Sequence, residues 1–127
     1  MNTVLVAIGG ALGSAARYLV DGAVYRLLPA TFPYGTFVVN VTACLLFGVL
    51  MGLGDDRLVV GSRARSFLLI GVLGGYSTFS TLTFETFQLL RGDEWRLALA
   101  NALGQLLAGL IALWAGFVFG RLLRGAA

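Results

Sequence analysis

Gly71-Val72-Leu73-Gly74-Gly75-Tyr76-Ser77-Thr78-Phe79-Ser80-Thr81-Leu82-Thr83-Phe84-Glu85 is the stretch on which the fold turns. It opens inside an apolar run, yet it holds three Gly, two Ser, three Thr and an acid. Gly-Gly followed by a Ser/Thr series is poor helix chemistry, because Gly loses the most backbone entropy and hydroxyls compete for backbone hydrogen bonds. The segment therefore predicts a helix broken near Gly74–Thr78. A break at membrane depth frees carbonyls and is tolerated only where protein or a wet cavity surrounds it. Freed carbonyls are natural ligands for an alkali cation. Beyond the break, Ser77, Thr81 and Glu85 recur at helical spacing and predict one polar stripe. Hydroxyls beside aromatic rings suit a small anion, since O–H groups replace hydration and ring edges add weak donors. The plainer alternative is Ser/Thr bonding to their own helix beside core Phe rings.

The flanking sequence says where such a segment lives. Of 127 residues, 58% are hydrophobic and 12% charged, with mean hydropathy +0.89; a soluble domain carries about 25% charge. A spanning helix needs about 20 mostly apolar residues, and four segments meet that length: residues 4–28, 34–53, 66–90 and 97–120. Barrel strands are about 10 residues long and alternate apolar with polar, unlike these runs. The chain reads as an all-α integral membrane protein of four transmembrane helices in one domain. A cleaved signal peptide is not expected, because the first run lacks a basic leader, although Gly13-Ser14-Ala15-Ala16 mimics a cleavage site. Without His and with Cys44 as the one Cys, intrachain disulfides, His/Cys metal sites and Cys–His catalytic pairs are excluded. A net charge of +3 from nine scattered Arg is too little for a nucleic-acid surface.

Four spans put both termini on one side. That side collects Arg57, Arg63, Arg65, Arg121 and Arg124, against Arg26, Arg91 and Arg96 on the other. The positive-inside preference is thus weak, which permits insertion in both orientations and an antiparallel dimer. Each span also carries a Gly-xxx-Gly pair, Gly9/Gly13, Gly48/Gly52, Gly71/Gly75 and Gly116/Gly120, the spacing that lets helix backbones approach in lipid.

Polar side chains inside spans are costly, so their positions carry the functional information. Arg17 and Asp21 lie four apart and can pair with each other; the other reading of Arg17 is a lure for an anion at the mouth of a pathway. Asn40 lies inside the second span, and its amide must find partners there, either across a helix interface or along a route. Glu85 either meets solvent at the interface or ends a polar track. Asn101 and Gln105, four apart, are expected to bond between helices.

These residues resemble the CrcB/Fluc family of microbial fluoride channels over three of the four spans. The motifs are Gly10-Ala11-Leu12-Gly13-Ser14-Ala15-Ala16-Arg17-Tyr18, Pro33-Tyr34-Gly35-Thr36-Phe37-Val38-Val39-Asn40 and the box Gly74-Gly75-Tyr76-Ser77-Thr78-Phe79-Ser80-Thr81-Leu82. The resemblance implies an antiparallel dual-topology homodimer with two fluoride pathways and a structural sodium ion (Na+) on the dimer axis. It implies backbone carbonyls of Gly74 and Ser77 as sodium ligands. It further implies Asn40 as the pore Asn, Phe79 as the box Phe, Ser80 and Thr81 as the hydroxyl track, Glu85 as the acid beyond the box and Arg17 as the vestibule arginine. The chain departs from the pattern at Ser77, at Ala43 and, most consequentially, at Leu82, where a second box Phe is usual. Leu82 offers no ring edge to an anion. The pathway then works with Phe79 alone, or Phe84 substitutes, or the chain is an engineered variant or one half of a heteromeric pair.

The leading expectation is passive, fluoride-selective export across a bacterial inner membrane, relieving fluoride toxicity. Its alternative is a small four-helix dual-topology multidrug or cation exporter, which would need a proton-exchanging acid in its first span, where only Asp21 stands, beside Arg17. A structural subunit is a third class. An enzyme is disfavoured, for no nucleophile–base pair, metal cluster or phosphate loop is recognisable.

Overall fold

The computed structural model describes residues 2–54 and 61–126, and among these it is helical throughout apart from short turns. Arg57, one of the arginines counted above, lies outside the described residues. Helix α1 spans Asn2–Leu27 and α2 Tyr34–Leu53. Helix α3 covers 62–76, as one α-helical turn Ser62–Arg65, a π-helical stretch Ser66–Leu73 and a last turn Gly74–Tyr76. Two extended residues follow, Ser77 (φ −73°, ψ 160°) and Thr78 (φ −151°, ψ 116°), before α4 resumes over Phe79–Arg91. Helix α5 is Trp95–Gly125. Four segments are long and apolar enough to cross a bilayer: α1, α2, the interrupted 63–91 segment and α5. The π-helical stretch was not anticipated, since composition carries no signal for it; such stretches often adjoin functional sites.

Local chemistry explains the ends. Pro33 precedes α2, where its missing N–H costs nothing and its φ of −75° already suits entry into a helix. Thr78 caps α4, its Oγ1 accepting the Thr81 N–H at 3.2 Å. Gly92 closes α4 by donating to the Gln88 carbonyl at 3.0 Å. Asp93 then takes φ 58°, a left-handed conformation that Asp tolerates better than most residues, and the chain turns directly into α5.

The helices associate as two parallel pairs, α1 with α3 and α2 with α5. Gly9 lies against 67–72 and Gly13 against 72–76, while Gly48 meets 113–117 and Gly52 meets 117–121. In both pairs the contacts advance in the same direction along both chains, as an up-down-up-down path requires. These approaches are backbone to backbone: a Cβ on Gly9 would stand 3.0 Å from the Gly71 Cα, and one on Gly48 would strike the Leu113 carbonyl. The interior is correspondingly small-sided. Val39, Ala43, Leu73, Tyr76 and Ala98 are its buried apolar residues, whereas Leu106, Leu107, Leu110, Ile111 and Trp114 of α5 face outward. Thr36, Thr78, Asn101 and Gln105 are buried instead. A chain with polar groups inside and Leu outside is built for lipid, where apolar burial between helices gains little and interhelical hydrogen bonds hold them together.

Candidate functional site

The site is the gap between α3 and α4. Where the helix stops, the backbone turns to side chains of α1 and α2 for partners. The Thr78 N–H donates to Asn40 Oδ1 at 2.8 Å, and Asn40 Nδ2 donates back to the Thr78 carbonyl at 3.0 Å. One amide side chain thus pairs with both backbone groups of one residue, as a neighbouring strand would. Because the Thr78 N–H is turned to Asn40, the Gly74 carbonyl loses the donor a continuous helix would give it. From α1, Ser14 Oγ donates to the Gly75 carbonyl at 3.4 Å and Arg17 Nη1 to the Ser77 carbonyl at 3.3 Å. Arg17 therefore bonds the broken backbone and makes no ion pair with Asp21 among the described residues. The guanidinium is drawn to a carbonyl stripped of its helical hydrogen bond, which is a stronger acceptor than one already shared.

The expected stripe of Ser77, Thr81 and Glu85 does not form. Ser77 is extended and its hydroxyl bonds back to the Leu73 carbonyl at 3.0 Å, so it ends α3 rather than continuing α4. A single ψ of 160° turns the chain out of helical register and carries the side chain with it. The hydroxyls that do gather are Thr78, Ser80 and Thr81: Thr78 Oγ1 lies 2.9 Å from Thr81 Oγ1 and 3.3 Å from Ser80 Oγ. Glu85 sits apart, its Oε1 accepting from Thr36 Oγ1 at 2.7 Å and its Oε2 buried with no hydrogen-bond partner. Tyr76, the last residue of α3, is fixed by a 2.9 Å contact between its hydroxyl and Thr42 Oγ1.

Two hollows adjoin this cluster. A cavity of about 270 Å³ on the α1 side is lined by Arg17, Tyr18, Asp21, Thr36, Thr78 and Thr81 among others. On the opposite side a groove of about 670 Å³ runs past Asn40, Gln105, Ser77, Phe79, Leu82 and Phe87. The hydroxyls bond to one another and the Asn40 amide to the Thr78 backbone, yet the cluster borders open space on both sides. Phe79 is 79% exposed at the groove. Phe84, considered above as a substitute for the missing box ring, points elsewhere; the second ring in the groove is Phe87. Residues 79, 82, 83, 86, 87 and 90 share one face of α4, and a position five residues from Phe79 does not.

Further groups join from α5. Asn40 Nδ2 also donates to Gln105 Oε1 at 2.7 Å, so both its hydrogens and its oxygen are engaged. Gln105 Nε2 donates to Asn101 Oδ1 at 2.7 Å, and Asn101 Nδ2 to Thr86 Oγ1 at 3.0 Å. The expected interhelical role of Asn101 and Gln105 holds, but their connection to Asn40 was missed, since nothing in the i, i+4 spacing of two amides names a partner on another span. Ser14 and Thr36 were also passed over, although both lie within the quoted motifs.

Long apolar helices, a polar interior and a broken span held open by side chains define a multi-pass membrane protein of the ion-handling kind. The sequence matches the family described as CrcB-like protein, Camphor Resistance (CrcB), over residues 4–117. It is 46% identical over 119 residues to a protein of Nitratidesulfovibrio vulgaris (strain DSM 19637 / Miyazaki F) named fluoride-specific ion channel FluC, covering 94% of this chain and 96% of that one. Proteins of the same name from Magnetococcus marinus (41% identical, 97% and 100% covered) and Nitrosococcus oceani (40%, 93% and 94%) are similar along nearly their whole length. The chain belongs to the CrcB family.

Proposed function

We propose that this protein is a fluoride-specific ion channel of the bacterial plasma membrane, passing fluoride passively out of the cytoplasm and so limiting its toxicity. The observation that carries this reading is a four-span chain, 46% identical over 94% of its length to a fluoride-specific channel, whose polar groups converge on one broken helix. Channel conduction is not an enzymatic activity, and the exporter alternative has no comparable support. Fluoride is small and strongly hydrated, so a selective route needs close donors in a narrow path. Arg17, Asn40, Phe79, Ser80, Thr81 and Glu85 are its proposed lining.

The finer proposal is that two copies assemble antiparallel as a dual-topology homodimer. In its favour, Phe79 and Ser80 of a single chain face outward, and Asn40, Phe79 and Phe87 border a groove that stays open along one side. The weak arginine asymmetry is compatible with either orientation. Sodium on the axis is likewise a proposal. The diversion of the Thr78 N–H frees the Gly74 carbonyl, Gly74 and Ser77 both line a small recess, and two hard backbone oxygens per chain match alkali-cation chemistry. The Arg17 bond to Ser77 leaves that carbonyl its second lone pair.

Purified protein in fluoride-loaded vesicles, followed with a fluoride electrode, tests the function. Release well above protein-free vesicles is expected, and a rate equal to theirs would overturn the reading. Cross-linking in vesicles and labelling of residues near each end of the spans from both sides test the dimer and its topology; accessibility from one side only would remove the antiparallel arrangement.

A further inference from the structure

Five hydrogen bonds in the interior run head to tail in one direction. The Thr78 N–H donates to Asn40 Oδ1, Asn40 Nδ2 to Gln105 Oε1 and Gln105 Nε2 to Asn101 Oδ1; Asn101 Nδ2 donates to Thr86 Oγ1 and Thr86 Oγ1 to the Leu82 carbonyl. The row leaves the break on α2, crosses to α5 and returns to α4, eight residues beyond its start. Its central members are almost wholly enclosed, with Asn101 at 0% and Gln105 at 5% exposure. An amide can be turned end for end at little cost in shape, so what decides its orientation is the partners on each side. Turning Asn40 alone would set its NH2 against the Thr78 N–H and its oxygen against the Thr78 carbonyl and the Gln105 oxygen. Turning Gln105 alone would face its NH2 to that of Asn40 and its oxygen to that of Asn101. Each member therefore holds the next.

We propose that Gln105, anchored by Asn101, is a positioning residue for conduction: it fixes the orientation of the Asn40 amide and thereby holds open the gap between α3 and α4. The inference rests on the channel reading above and deepens it. Gln105 lines the same groove as Asn40, Ser77 and Phe79, whereas Asn101 does not and reaches it through Gln105 on one side and Thr86 on the other. Among the described residues no Asp, Glu, Arg or Lys lines that groove, and Cys44 is its titratable side chain.

The channel in vesicles tests this with Gln105→Met, Gln105→Glu and Asn101→Leu, each measured between about pH 6 and 8.5 beside protein-free vesicles. Gln105→Met keeps the volume but removes the acceptor for Asn40 and the donor for Asn101. Its fluoride flux should fall by roughly tenfold or more, the effect of a buried hydrogen bond lost on both sides. Gln105→Glu in its acid form keeps both roles, a carbonyl towards Asn40 and an O–H towards Asn101. Its flux relative to wild type at the same pH, a ratio that cancels any titration of Glu85 or Asp21 in both, should lie within about threefold at the low end and fall as the side chain ionises; a group that merely fills space would give no such recovery. Asn101→Leu, neutral and off the groove, should lose flux in the same sense as Gln105→Met, and it carries the test if Gln105→Met does not fold. Wild-type flux in Gln105→Met or Asn101→Leu, or no recovery of Gln105→Glu at any pH, would overturn the positioning role. A silent wild type would instead overturn the channel reading itself.

Discussion

The two ways this chain treats its backbone differ sharply between its helix pairs and its break. Along α2 and α5, Gly48, Gly52, Gly116 and Gly120 bring main chain against main chain within unbroken α-helix. Between α3 and α4 the helix cannot do this, and Ser14, Arg17 and Asn40 supply what Gly75, Ser77 and Thr78 lack. The first region needs the absence of side chains; the second needs particular ones. Lipid imposes both, since it satisfies no hydrogen bond and gives helices little reason to pack except close contact. Stability and function therefore separate along the molecule, the glycine seams holding it together and the side-chain-clamped gap presenting polar groups.

The largest effect expected is at Asn40. Asn40→Leu strips donor and acceptor from both sides of the Thr78 peptide and orphans Gln105, so at about 1–3 kcal/mol for each unsatisfied buried group flux should drop at least about a hundredfold, with a lowered thermal midpoint. Asn40→Asp keeps the acceptor for the Thr78 N–H and loses the donors, and its flux should lie between Asn40→Leu and wild type. Equal flux in Asn40→Leu and wild type would erase the distinction between the two regions.

The counterpart in the seam is Gly116→Val, which pushes a branched side chain into the Leu45 carbonyl. A cost of about 1–3 kcal/mol should reduce the monodisperse fraction on size exclusion, while the folded remainder conducts at the wild-type rate per channel. Slowed conduction in well-folded Gly116→Val protein would show the seam and the gap to be one unit.

Phe79→Ile should do the reverse, lowering flux by about fivefold, the loss of an aromatic edge of roughly 1 kcal/mol, with an unchanged thermal midpoint in detergent-solubilised single chains because the ring is mostly exposed there. The smallest change is expected from Leu82→Phe, which adds a ring to a groove that already holds Phe79 and Phe87. Flux within about threefold of wild type would fit Phe87 standing in for the usual box ring, and a much larger rise would show that Phe87 does not.

Much of this is legible in the sequence. Four apolar runs broken by short polar joints announced four helices, and Gly74-Gly75 followed by Ser77-Thr78 announced the interruption, because propensity and hydropathy act over a few neighbouring residues. Asn40, Arg17 and Thr81 were identifiable as out of place in lipid, and all three lie at the break. What those residues bond to was not legible. Spacing offers Arg17 either Asp21, four residues away, or an anion, whereas its hydrogen-bond partner is a carbonyl 60 residues on. Helical counting puts Ser77 on a stripe with Thr81, but the helix stops at Tyr76.

The sequence by itself determined that the chain lives in a bilayer, where its spans fall and which one fails, since each of these depends on local composition against a solvent of known thickness and polarity. Only the tertiary structure decided that the amide of Asn40 closes the gap, that Gln105 and Asn101 hold that amide, and that Phe87 rather than Phe84 joins Phe79. Hydrogen-bond partners between helices depend on the rotation and height of each helix relative to the others, and those are fixed by backbone contact at the glycine seams, which no single segment encodes.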